Sequence, residues 1–220
     1  MTALASPPTE LREPIPVEQR LTLGAVDWED YQAIAKALSG RHVRLTYDRG
    51  SLEFMTISGT HGNLSRLFGR LIAVLTEELG LPMRSFGDMT CDNESALRGL
   101  EPDECFYLDN EALVREKNDI DLSVDPPPDL AIEIELSKAR RNRMGIYAAL
   151  KVPEVWRFNG QQLTVNQLAS DGNYAVTNRS RYFPTIPVGE VVRFIEMRTR
   201  MDENSLLRSF REWVRSQIAS

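Results

Sequence analysis

The pattern of apolar and polar positions divides the chain into helices and strands with little ambiguity. In "THGNLSRLFGRLIAVLTEELG" (60–80), Leu64, Leu67, Phe68, Leu71, Ile72 and Leu75 recur at helical spacing. Gly80 and Pro82 stop that helix. "VDWEDYQAIAKALSG" (26–40) predicts an earlier helix, with Asp27 as N-cap and Gly40 as its stop. Between them "HVRLTYDRGSLEFMTI" (42–57) alternates as two strands around a "DRG" turn, with Leu52, Phe54 and Ile57 as candidate buried positions. "PMRSFG" reads as a short strand, "CDNESALRGLEPDE" (91–104) as a polar connector, and "CFYL" (105–108) as a strand. Three prolines at 126–128 force an extended approach into "DLAIEIEL". A short helix "RRNRMGIYAALK" and the strand "PEVWRF" follow, which makes a βαβ unit. "QLTVNQL" and "YAVTN" complete a meander after the turn "NGQ", and "VGEVVRFIEMRT" and "ENSLLRSFREWVRSQ" read as closing helices. The class is α/β or α+β, built on one mixed sheet.

Length and composition narrow this picture. A chain of 220 residues can bury roughly 70–75% of its unfolded surface, so it needs no covalent staples. Residues 1–20, opening "MTALASPPTELREPIP", read as a proline-rich flexible leader without a secretory core, and 21–220 as one domain. No apolar run reaches the ~20 residues of a membrane span. The net charge of −6 argues against a non-specific nucleic-acid binder, although it leaves room for a local basic patch. Cys91 and Cys105 form no CxxC pattern, and with two histidines they cannot make a zinc cluster. They read as reduced thiols, which implies a cytoplasmic protein.

The stretch "DLAIEIELSK" carries the chemistry. Strand alternation puts Glu133 and Glu135 on one face, roughly 7 Å apart at the backbone. At that distance two carboxylates repel by about 0.6 kcal/mol in water and about 2.4 kcal/mol at an effective dielectric near 20. On a wet sheet face the pair needs no explanation. Under a helix it needs a cation, a proton or a basic partner. The crossover helix must cover one face, and glutamate is a poor strand former, so the covered reading gains weight. The acidic segment "LEPDE" leads into another strand, and Asp103 there could join Glu133 in holding Mg²⁺ or Mn²⁺. Such an ion would neutralise charge on a transferring phosphoryl group.

The motifs "RGLEPDECFYL", "PPDLAIEIELS" and "IYAALKVPEVWRF", in this order and spacing, resemble the Uma-two family of the PD-(D/E)xK nuclease superfamily. "GSLEFMTISGTHG" and "YFPTIPVGEVVRFIE" are similar to it too, so the resemblance runs over roughly residues 20 to 215. It implies a restriction-endonuclease-like fold, a mixed four- or five-stranded sheet flanked by helices. It further implies Asp103 as the aspartate of the "PD" element and Glu133 as the second acidic residue, both metal ligands. The superfamily pattern has a lysine two positions later, where this chain has Glu135. Lys138 could replace it only if the strand breaks or bulges near Ser137. Arg143 and Tyr147, four apart, share a helix face that turns towards the carboxylates or packs on the sheet. Failing these, Glu135 is a third ligand or the site is degenerate.

His61 reads first as a helix-terminal histidine whose ring caps or packs, and second as a substrate-side acid near Glu53. Glu53 itself is either an outward strand residue or part of the site. The run "KARRNR" (138–143) is either a solvated helix start or a phosphate-contacting patch. The leading expectation is a metal-dependent endonuclease acting on DNA, with RNA open as a substrate, no membrane association, and a homodimer as the common oligomer. Its rivals are a degenerate nuclease-fold binding module and a homo-oligomeric scaffold.

Overall fold

The structure, a computed structural model, describes residues 18–137 and 142–219. The chain enters as β1 (Arg20–Leu23) and turns into α1 (Trp28–Leu38), whose first turn is capped by the Asp27 carboxylate on the Asp30 amide. β2 (Val43–Asp48) and β3 (Ser51–Thr56) form the expected hairpin. The long α2 (Gly59–Leu79) starts at Ser58 and ends at Gly80, which adopts the left-handed conformation that glycine tolerates. β4 (Arg84–Gly87), β5 (Cys91–Asn93), β6 (Arg98–Leu100) and β7 (Glu104–Tyr107) follow, then the short α3 (Glu111–Val114). β8 (Leu130–Ile134), α4 (Arg143–Ala149) and β9 (Glu154–Phe158) are the βαβ unit, with β8 and β9 parallel. β10 (Leu163–Leu168), β11 (Tyr174–Thr177), α5 (Val191–Met197) and α6 (Glu203–Ile218) complete the fold.

The α+β class stands, but there are two sheets where one was expected. One is antiparallel, in the order β1-β3-β2-β6-β5; the other is mixed, in the order β11-β10-β9-β8-β7-β4. The extra strands β5 and β6 lie inside the segment read as a polar connector. Its polar centre is a turn, and its apolar ends, Cys91 and Leu100, pair with each other while β6 adds to β2. Arg20, the last residue of the expected leader, begins β1.

Packing follows from the two layers. One face of the mixed sheet, with Leu130, Ile132, Ile134 and Trp156, lies under α2 and α6. On its other face Ala131 and Val155 pack with Ile146 and Tyr147 of α4 and with Cys91 and Leu100 of the first sheet. β8 is therefore covered on both sides, and all five of its residues are buried. That decides the question raised by its two glutamates: Glu133 is not on a wet face. A third cluster fills the space between α1 and the hairpin, where the Tyr31 and Tyr47 rings stack 4.7 Å apart. In the hairpin Leu52 is buried as expected. Phe54 and Ile57 are only half-buried, and the glutamate between Leu52 and Phe54 is 1% exposed.

Candidate active site

The centre of the site is the pairing of β7 with β8. Their register sets Glu104 opposite Ile132, so Asp103 and Glu133 are the next pair along. The Asp103 amide donates to the Ile132 carbonyl, and its carboxylate accepts the Ile134 amide at 2.7 Å. Asp103 thus terminates the ladder with its own side chain and is fixed beside Glu133.

Glu133 is held from the far side of the sheet. Arg143, in the first turn of α4, donates from Nε and Nη2 to its two oxygens at 2.8 and 2.6 Å. Tyr147, one turn later, donates its hydroxyl to the same carboxylate. The same guanidinium reaches the Thr46 hydroxyl on β2 and the Glu101 carbonyl, which joins the two sheets at this point. Burial pushes the Glu133 carboxyl up, Arg143 opposes this, and the charge of Asp103 adds to the rise. Burial also raises the Tyr147 hydroxyl, keeping it a donor. The helix face holding Arg143 and Tyr147 turns towards the carboxylates, so a basic group stands at Glu133 although the chain lacks the lysine two positions after it.

Two other expected participants fare differently. Glu135 follows the end of β8, and its carboxylate is taken by Arg157 of β9 at 2.7 and 3.1 Å. Among the described residues no hydrogen bond or ion pair joins it to Asp103 or Glu133, so Glu135 is not brought to the pair. Lys138 lies outside the described residues.

His61 is not a helix cap; Ser58 does that work. The imidazole is 1% exposed and lies between two carboxylates, with Nε2 2.6 Å from Asp103 and Nδ1 2.8 Å from Glu18. Burial opposes its charge, but these two partners raise its pKa to about 9, so it is an imidazolium at neutral pH. Glu18 also meets Arg20 and Ser137, and these bonds together with His61 outweigh burial and hold its carboxyl below the usual range. Glu53 is buried too, with one oxygen on Arg20 at 2.8 Å and the other, Oε2, without a partner. Its cross-strand neighbour is Thr46, the residue that bonds Arg143.

A cleft of about 510 Å³ opens beside this cluster, lined by Asp103, His61, Ser65, Glu101, Glu104 and Arg44 among others. Glu104 packs against Gly69, where a Cβ would come within 3.4 Å of its carboxyl, and accepts from Ser65. Burial raises its pKa to about 7. Sequence reasoning missed Glu18, Glu104, Glu101 and Arg44. For Arg44 there was a signal, a charge in the middle of an otherwise apolar hairpin strand; for Glu18, in a proline-rich segment, there was none.

The donor chemistry fits a hard divalent ion. Mg²⁺ and Mn²⁺ sites take one or two carboxylates with water and substrate oxygen, and Asp103 and Glu133 supply such a pair. A carboxylate has about four acceptor positions. Asp103 uses two on His61 and Ile134, and Glu133 uses three on Arg143 and Tyr147. The orphaned Glu53 Oε2 is a further buried acceptor next to this network. Among the described residues no three His, Cys, Asp or Glu side chains are gathered as a closed metal cage, so the fit is of the open, two-carboxylate kind.

No helix among the described residues is long and apolar enough to cross a membrane. No curated protein matches the chain. The family model of Uma2, described as "Putative restriction endonuclease", matches residues 28–198, a span that holds α1, both sheets from β2 onward, and Asp103, Glu133, Arg143 and Tyr147. With the two acidic elements in register across one β-ladder and more than half of the chain matched, the protein belongs to the Uma2 family, and its α+β architecture is the restriction-endonuclease-like one of that family.

Proposed function

We propose that the protein is an endonuclease that hydrolyses DNA phosphodiester bonds with Mg²⁺ or Mn²⁺. Nuclease-like function follows from family membership, and proteins of this kind usually use divalent metals. One observation carries the finer reading: the Arg143 fork on Glu133, beside Asp103, is a fixed cation in a chain that lacks the superfamily lysine. Asp103 and Glu133 would hold the ion, which when bound neutralises charge on the phosphoryl group. Arg143 orients Glu133 and balances its charge. Tyr147 fixes the Glu133 rotamer, and His61 fixes Asp103. Glu53, through Arg20 and Glu18, supports His61 from behind. The reading takes the protein as a homodimer in a reducing cytoplasm.

A second reading is favoured by one specific observation. Glu133 is 3% exposed and already neutralised by Arg143, as expected of a module that binds nucleic acid without turnover. One assay separates the two. Plasmid and single-stranded DNA are incubated with Mg²⁺ or Mn²⁺ and wild-type protein, Asp103→Ala, Glu133→Gln, Arg143→Lys or Arg143→Met. Metal-dependent nicking that Asp103→Ala and Glu133→Gln abolish, that Arg143→Met lowers at least a hundredfold and that Arg143→Lys partly restores is the expected result. Nicking that survives Asp103→Ala would overturn the site. Binding without cleavage by the wild type would establish the module instead.

A further inference from the structure

Among the described residues lining the cleft, Arg44 is the one with a buried side-chain atom that lacks a hydrogen-bond partner. It lies in the middle of β2, opposite Met55, and is 9% exposed. Its Nε is buried and has no hydrogen-bond partner. Asp103 Oδ1 is 3.8 Å from that nitrogen, too far for a hydrogen bond. Glu101 is 4.0 Å from Nη1. The one close partner is Asp88, which meets Nη1 from the loop after β4 and has a side chain 60% exposed. A buried guanidinium N–H left unpaired is costly, and such groups call for an explanation.

The chemistry of the missing partner follows from the donor. Arg presents Nε and a terminal nitrogen as a planar fork that suits two oxygens of one phosphate. Arg44 lines the 510 Å³ cleft together with Asp103, Ser65 and the exposed Arg66. Asp103 would repel an anion, but its two oxygens are already engaged, one by His61 Nε2 and the other by the Ile134 amide. Asp88 is the exchangeable member, because an exposed ion pair on a loop contributes little and its side chain can turn to solvent. We propose that Arg44 is the phosphate seat of the cleft: one non-bridging oxygen of a nucleic-acid phosphate takes Nε and a second takes Nη2 on the same edge of the guanidinium, while the Asp88 carboxylate turns away from the anion. This rests on the nuclease reading for the identity of the phosphate as DNA, whereas the anion seat itself rests on Arg44 alone. Arg44 would be a binding and positioning residue that aligns the backbone against Asp103.

The test uses the full chain with two probes, inorganic phosphate and a short labelled DNA duplex. The ¹H–¹⁵N resonance of the Arg44 Nε, assigned by its loss in Arg44→Lys, should shift on titration with phosphate. For the duplex, Arg44→Met should weaken binding about tenfold and reduce the salt slope by about 0.9, as loss of one phosphate contact requires; Arg44→Lys should recover part of the affinity. Asp88→Asn should tighten binding, a gain that a misfolded variant could not give. If the wild type cleaves DNA while neither the salt slope nor the affinity responds to Arg44 or Asp88, the seat is refuted and the nuclease reading stands. If phosphate moves the Nε resonance but no DNA is cleaved, the seat stands and the nuclease reading falls. Silence of that resonance towards both probes refutes the seat.

Discussion

The ion pair at the centre of the site gives a stability prediction that can be worked from the structure. Arg143→Met keeps the aliphatic bulk of the side chain and removes the charge. Glu133 is then 3% exposed with no cation beside it. Breaking one half of a buried pair costs about 3–5 kcal/mol. The carboxyl can escape part of that cost by taking a proton. From an ordinary value of 4.5, neutralising it at pH 7 costs about 3.4 kcal/mol, which caps the charge contribution. The lost bonds to Thr46 and the Glu101 carbonyl add about 1 kcal/mol each. For a chain of this size a total of about 5 kcal/mol lowers Tm by roughly 10–20 °C. The sign with pH follows from the direction of the shift. In the variant the folded pKa of Glu133 lies further above its unfolded value, so its contribution is intact below about pH 4.5 and is lost as pH rises. Urea denaturation of wild type and variant across pH should therefore show a deficit that grows from mildly acidic to neutral pH, and Glu133→Gln in the same chain should remove most of it. A deficit under about 1 kcal/mol, or one that does not change with pH, would refute a buried Glu133–Arg143 pair.

Three other outcomes follow from the same geometry. His61 has its pKa raised to about 9, so the stability it gives Asp103 and Glu18 is complete below about pH 6.5 and lost as pH rises through 9; His61→Gln should abolish that alkaline decline in Tm. Glu104, raised to about 7 by burial, favours the folded state below about pH 4.5 and ceases to do so by pH 7, so Glu104→Gln should flatten the stability profile between those values and raise Tm above them. Gly99 lies against α1, where an added Cβ would land on the Tyr31 hydroxyl and within 2.8 Å of the Asp92 Cβ. Gly99→Ala should cost about 1–3 kcal/mol in urea denaturation, with loss of the near-ultraviolet signal of the stacked tyrosines; unchanged stability would contradict that close approach.

The sequence by itself determined the long helices and most strands, though not β1, β5 and β6. Local rules suffice there: Asp27 and Gly80 bound their helices through hydrogen bonds and backbone angles spanning a few residues. The proline run, the alternation through 130–134 and the helix after it lead to a parallel pair with little choice. What covers each face was not legible. Alternation states which residues share a side, not what lies on it, so the same pattern allowed a wet Glu133 and a buried one. Only the second sheet, with β6 pairing to β2 and α4 closing over β8, excluded water. The polar partners were equally hidden, because ion pairs are satisfied through space. Arg143 meets Thr46 across 97 positions and Ser137 meets Glu18 across 119. Glu133 and Glu135, two residues apart, end in different networks because β8 stops at Ile134 and Arg157 on β9 lies within reach of the second. Spacing along one strand fixed two carboxylates, and the packing of two sheets decided that one is locked beside Asp103 and the other is not, since low dielectric and fixed donors act only where tertiary structure brings them together.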